Sequence, residues 1–84
     1  MNKNRIVAVL YLKQLDKKVD IDVPLDITAN DLIIGLTKAF DLQLDISDLS
    51  SCCLKTENPI ALLRGDKTLA DFGLRNGTVI NYLL

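Results

Sequence analysis

Val19 to Phe40 reads VDIDVPLDITANDLIIGLTKAF, and the fold follows from how this stretch divides. Val19, Ile21 and Val23 alternate with Asp20 and Asp22. A period of two puts three β-branched residues on one face of a strand and two carboxylates on the other. Pro24 closes the strand, because it has no N–H to give a ladder. Thr28 and Asp31 form a Thr-x-x-Asp capping signal, and Leu32, Ile33, Leu36 and Phe40 follow at helical spacing as one apolar stripe. Gly35 flanks that stripe, and close packing against a sheet is the expected reason for a residue that costs a helix about 1 kcal/mol relative to Ala. Ile34 falls on the opposite face with Asn30 and Lys38, as a candidate contact residue. A half-buried strand and an amphipathic helix must share a core, so the unit is a sheet with a helix laid across it.

Working outward, Ile6 to Leu12 (IVAVLYL) reads as a strand that is apolar on both faces. The charged connector KQLDKK joins it to Val19–Val23 as a hairpin. Beyond the helix, residues 41–50 read as a loop with Leu42, Leu44, Ile46 and Leu49 as plugs beneath it. Ser51 to Thr56 and Ile60 to Leu63 are short strands separated by the turn signal Glu57-Asn58-Pro59. Thr68 to Leu74 suits one tight helical turn with Leu69, Phe72 and Leu74 inward. Asn76-Gly77 marks a turn, and Val79 to Leu84 is the last strand, expected beside the first at the sheet centre. The expected class is α+β: residues 1–84 as a single domain, with a mixed five-stranded sheet and one central helix packed on one face.

Composition removes most chemistry. Hydrophobic residues make up 49% of the chain, which is globular rather than disordered. A net charge of −1 gives no electrostatic basis for binding nucleic acid or an anionic membrane. The apolar run Ile6–Leu12 is far shorter than the ~20 residues a membrane helix needs, and no small-residue cleavage site follows it. Cys52 and Cys53 are neighbours whose side chains point apart on a strand, so one buried thiol and one outward thiol are expected, in a reducing cytoplasmic compartment. Two cysteines and no histidine supply neither a plant-type iron–sulfur site nor a zinc site. No cofactor, metal or catalytic residue is expected, and the chain is not read as an enzyme. Asp20 and Asp22 read as a solvated face that discourages edge pairing.

The order strand, strand, helix, strand, strand, helical turn, strand resembles the β-grasp fold of ubiquitin-like proteins. Val19-Asp20-Ile21-Asp22-Val23 resembles their second strand, and Thr28 through Leu36 the capped start and core stripe of their central helix. Thr68-Leu69-Ala70-Asp71-Phe72-Gly73-Leu74 resembles their Thr-Leu-x-Asp-Tyr-x-Ile stretch before the last strand. Within that superfamily Val23-Pro24, Asp31-Leu32-Ile33, Asp41-Leu42 and the terminal Leu83-Leu84 resemble the YukD/EsaB group of small bacterial proteins linked to type VII secretion. The resemblance implies a cytoplasmic accessory or regulatory component of the secretion machine that acts by non-covalent contact with other secretion-machinery proteins.

A covalent modifier or sulfur carrier needs a flexible tail ending in Gly-Gly, whereas this sequence ends on Tyr82-Leu83-Leu84. Conjugation is therefore the alternative reading, which requires a missing or processed tail. Function is then expected on an apolar surface. With Val19, Ile21 and Val23 facing the helix, a short connector would place Val7, Val9 and Tyr11 beside them. Ile6, Ala8, Leu10, Cys53 and Leu83 would then share the outer sheet face as the partner-binding set, together with Ile34 on the helix. That face is also where a homodimer is expected. A one-residue slip of register would exchange every inward residue for an outward one.

Overall fold

In the structure, a computed structural model that describes residues 4–82, the decisive stretch becomes strand β2 (Lys17–Pro24) and helix α1 (Ala29–Phe40), preceded by β1 (Arg5–Leu12). Strands β3 (Leu54–Glu57), β4 (Ala61–Leu63) and β5 (Val79–Tyr82) follow. Among the described residues these build one five-stranded sheet in the order β2-β1-β5-β3-β4. β1 and β5 run parallel at its centre, and the other neighbours are antiparallel.

The helix starts where the sequence signals it. Thr28 has extended backbone, and its hydroxyl oxygen accepts the Asp31 N–H at 3.1 Å, satisfying one donor of the first turn. It stops at Asp41, whose left-handed φ of 54° returns its N–H to the Thr37 carbonyl. Ala29, Leu32, Ile33 and Leu36 are buried against the sheet, and Phe40 packs at the margin. Burying each of the larger side chains contributes about 1.5–3 kcal/mol, which is what holds a helix of this length in place. Gly35 lies on the other side. It is exposed, and a Cβ there would meet nothing within 4 Å, so close packing does not explain it.

The hairpin register differs from expectation. Ile6, Ala8 and Leu10 point inward with Leu12, and Val7, Val9 and Tyr11 point outward. Ala8 and Leu10 are 0% exposed. The connector decides this. Lys13–Leu15 form a 3₁₀ turn closed by Asp16 at φ 46°, whose N–H donates to the Lys13 carbonyl at 3.1 Å. Leu12 therefore faces Lys17, Leu10 faces Val19, Ala8 faces Ile21 and Ile6 faces Val23. Even-numbered residues of β1 share the inner face with odd-numbered residues of β2. That choice also buries the larger set, Ile6, Ala8, Leu10 and Leu12, rather than Val7, Val9 and Tyr11.

Local polar bonds shorten the third strand at its start. Ser50 and Ser51 donate to the Asp48 carboxylate and carbonyl at 2.6 and 2.8 Å, which turns Leu49–Ser51 into a 3₁₀ turn instead of ladder. The Cys52 thiol is buried and donates to the Asp45 carbonyl, so this loop is fastened to the core. Leu42 is buried beneath it, and the Tyr82 hydroxyl accepts the Gln43 N–H at 2.6 Å. Residues 68–74 turn tightly, as expected, with the Phe72 N–H donating to the Thr68 carbonyl at 3.3 Å. They are closed by a reciprocal bond in which Thr68 and Asp71 each accept the other's backbone N–H, with Leu69 and Leu74 buried.

Candidate protein-interaction surface

The helix covers one face of the sheet, and the opposite face is crossed by rows of aligned residues. One row runs Leu62, Lys55, Asn81, Tyr11, Lys18 from β4 to β2. The next runs Glu57, Val79, Val9, Asp20, with Val7 beyond Val9 on β1. Val7 is 49% exposed and Leu62 41%, while Val9 and Val79 are half-buried between them. Arg5 and Asp22 close one corner with an ion pair at 2.9 Å.

Among the described residues the most exposed large hydrophobic one is Ile60, at 90%, in the turn between β3 and β4. It overhangs an open hollow of about 700 Å³ lined by Lys55, Thr56, Glu57, Ile60, Ala61, Leu62 and Asn81. A second, more polar hollow of about 430 Å³ shares Glu57 and Asn81 with it and continues to Tyr11, Asp16, Lys18 and Val79. In that hollow Tyr11 donates to the Asp16 carboxylate at 3.3 Å, and the Lys18 ammonium lies 5.9 Å from the Tyr11 ring centre. Desolvation, then the charge of Asp16 and its hydrogen bond, hold the Tyr11 phenol above its ordinary pKa. The combined groove is apolar at its β4 end and charged at its β2 end.

The Ile60 turn is fastened from inside. Thr56 and Thr78 are the buried polar residues among those described. The Thr56 hydroxyl donates to the Pro59 carbonyl and the Thr78 hydroxyl to the Asn58 carbonyl, both at 2.7 Å. Asn58 sits at φ 58° and is followed by a cis peptide bond to Pro59. Each buried hydroxyl thus satisfies itself by anchoring a carbonyl of the turn that presents Ile60.

Of the residues expected on this surface, Ile6, Ala8 and Leu10 lie in the core and line none of it. Cys53 is exposed just before β3. Ile34 is half-buried on the helix, away from the sheet's outer face. Leu83 lies outside the described residues. Val7, Ile60 and Leu62 take the place of the misassigned residues. Asn58-Pro59 immediately before Ile60 was the signal for the last two, because a turn that extends to Ile60 leaves its side chain without a sheet face to join. Among the described residues no cluster of His, Cys, Asp or Glu could hold a metal, and no helix is long and apolar enough to cross a membrane.

Residues 5–81 match the family described as WXG100 protein secretion system (Wss), protein YukD. No curated protein matches the chain in sequence. Among solved structures, it is similar to the C-terminal ubiquitin-like domain of mouse tubulin-specific chaperone e, with TM-score 0.69 at 13% identity over 100% of this chain and 93% of that one. The ubiquitin-like domain of tubulin-binding cofactor B gives TM-score 0.68 at 18% identity, over 93% and 87% of the two chains. A structure described as molecular mimicry of SUMO that promotes DNA repair gives TM-score 0.70 at 14% identity, over 100% and 96%. At such identities the likeness shows the fold alone, which is the ubiquitin-like β-grasp.

Proposed function

Because the chain belongs to the YukD family of the WXG100, or type VII, secretion system, we propose that it serves that system as a cytoplasmic, non-covalent protein-interaction module, with the Ile60 hollow as its docking point. The single observation that carries this reading is Ile60 itself. A β-branched residue 90% exposed at a turn gains nothing for the monomer, yet two buried hydroxyls hold the turn that presents it. A side chain kept rigid and uncovered binds without a large ordering cost, which is how a few anchors come to dominate an interface. Leu62 widens the apolar contact, and Lys55, Glu57 and Asn81 offer a polar rim that excludes water and sets orientation.

The test is native purification of the tagged chain from its own cells, alongside Ile60→Asp and Leu62→Asp. Components of the secretion system co-purify with the unaltered chain, and recovery falls about tenfold or more in each variant, the loss expected for an anchor worth at least 1.4 kcal/mol. Circular dichroism stays unchanged, and the melting temperature falls by no more than roughly 4–8 °C, the effect of about 1 kcal/mol at an outward strand position such as Leu62. Secretion components recovered equally well with both variants would remove the hollow from the interface. Tagged adducts that survive denaturation would replace the non-covalent reading with conjugation.

A further inference from the structure

We propose that the open edge of β2 pairs antiparallel with β2 of a second copy of this chain, with Val19 opposite Val19 and Lys18 opposite Asp20, so that two sheets join into one. This surface is separate from the Ile60 hollow, and the proposal does not rest on that reading.

The backbone geometry fixes which groups β2 offers. In an antiparallel ladder, facing residues alternate between pairs that exchange hydrogen bonds and pairs that do not. Leu25 donates to the Asn4 carbonyl, and the β1–β2 register continues from there through Val23 opposite Ile6, Ile21 opposite Ala8 and Val19 opposite Leu10. The odd-numbered residues of β2 therefore bond β1. The other side of β1 agrees: Val9 donates to the Thr78 carbonyl and Val7 accepts from Gly77, so odd-numbered residues of β1 bond away from β2. The N–H and C=O groups of Lys18 and Asp20 are left directed at the open edge, with the N–H of Asp22, whose carbonyl accepts from the Arg5 guanidinium at 3.4 Å. Pro24 falls in the same set, at the one side of the strand where a missing N–H costs the sheet nothing. An eight-residue edge of this kind is a template for another strand unless something blocks it.

Charge then selects both the partner and the register. A two-fold axis perpendicular to the sheet keeps inner residues with inner and outer with outer, so facing residue numbers must add to an even total. Centring on Asp20 would place Asp20 against Asp20, and centring on Lys18 would place Lys18 against Lys18. Centring on Ile21 would place Asp20 against Asp22 twice. Centring on Val19 places Lys18 against Asp20 twice with neither residue facing its own copy; Asp22 then faces Asp16, which precedes the strand and leaves its line at φ 46°. Asp22 is already neutralised by Arg5, and Asp20 has neither an ion-pair nor a hydrogen-bond partner among the described residues. On the inner face the same register sets half-buried Val19 against its copy, and half-buried Ile21 against the aliphatic stem of Lys17. Carboxylates that would repel an indifferent strand are thus complementary to this one.

The test is sedimentation equilibrium of the full chain from micromolar to millimolar concentration, with Lys18→Asp, Asp20→Lys and the double exchange. The unaltered chain dimerises. Each single reversal sets like charges opposite each other twice and weakens the dimer about tenfold or more, while the double exchange restores it to within about threefold of the original. Amide hydrogen exchange supplies the second measurement: the Lys18 and Asp20 N–H groups become protected as concentration rises. A chain monomeric at millimolar concentration, a dimer indifferent to both reversals, or a dimer broken by Ile60→Asp would each overturn the proposal.

Discussion

The Thr78 hydroxyl, fully buried, donates to the carbonyl of Asn58 at 2.7 Å, and its oxygen accepts the Arg75 N–H at 3.0 Å. One side chain therefore ties the turn that presents Ile60 to the segment leading into β5. Thr78→Val keeps the shape but leaves the Asn58 carbonyl and the Arg75 N–H without a partner. Stability falls by about 1–3 kcal/mol in denaturant titration. Partner recovery falls further than Ile60's own exposure can explain, because the turn loses its anchor. Thr78→Ser restores both. A Thr78→Val variant that binds as well as the unaltered chain would show that the turn needs no fixing from below.

Gly35 gives a prediction of opposite sign. It lies in the helix interior, exposed, with open space where a Cβ would stand. Gly35→Ala thus adds no clash and removes backbone freedom from the unfolded chain, for a gain of about 0.5–1 kcal/mol. In a domain of this size about 1 kcal/mol raises Tm by roughly 4–8 °C. A fall in Tm would mean that the helix is crowded at this position.

The acid limb of stability has one identified contributor in the loop after the helix. The Asp45 carboxylate accepts the Ser47 hydroxyl and the Ser47 N–H, which hold its pKa below the ordinary value of 3.8. A pKa lowered by folding contributes stability that is complete above the unfolded value and lost as pH falls through the folded one. Asp45 therefore adds no pH dependence between neutrality and about pH 4, and weakens the fold below that. Ser47→Ala removes the larger of the two bonds and moves the Asp45 titration upward, as read from its carboxyl carbon by NMR. An unmoved titration would assign the lowering to something other than Ser47.

What the sequence displays is the periodicity of elements with one polar face. Val19-Asp20-Ile21-Asp22-Val23 and the stripe Leu32, Ile33, Leu36 announce which side is inward, and the structure follows them. IVAVLYL announces nothing of the kind, because both faces are apolar, so its orientation rests on a connector whose length is read only from the folded hairpin. The same ambiguity assigned Ile6, Ala8 and Leu10 to the outer face of the sheet, whereas they lie in the core. The Ile60 turn is legible in Asn58-Pro59, but part of its support is not: Thr78 is distant in sequence, and no local pattern marks a threonine that folds beneath a turn.

The register itself is the sharpest prediction, since two substitutions of the same chemistry on one strand must differ completely. Leu10 is 0% exposed, between Val19 of β2 and Ile80 of β5. A carboxylate there has no partner and no water, and both the lost apolar burial and the unpaired charge count against folding. Their sum reaches about 5 kcal/mol or more, comparable with the whole stability of a domain this small. Leu10→Asp is therefore expected to be unfolded by circular dichroism at 25 °C. Val7 stands three residues away on the outer face, 49% exposed, where Val7→Asp leaves its carboxylate in water. Its cost is about 1 kcal/mol or less, from the β-propensity of an outward strand position. A folded Leu10→Asp beside an unfolded Val7→Asp would reverse the hairpin and return Ile6, Ala8 and Leu10 to the surface.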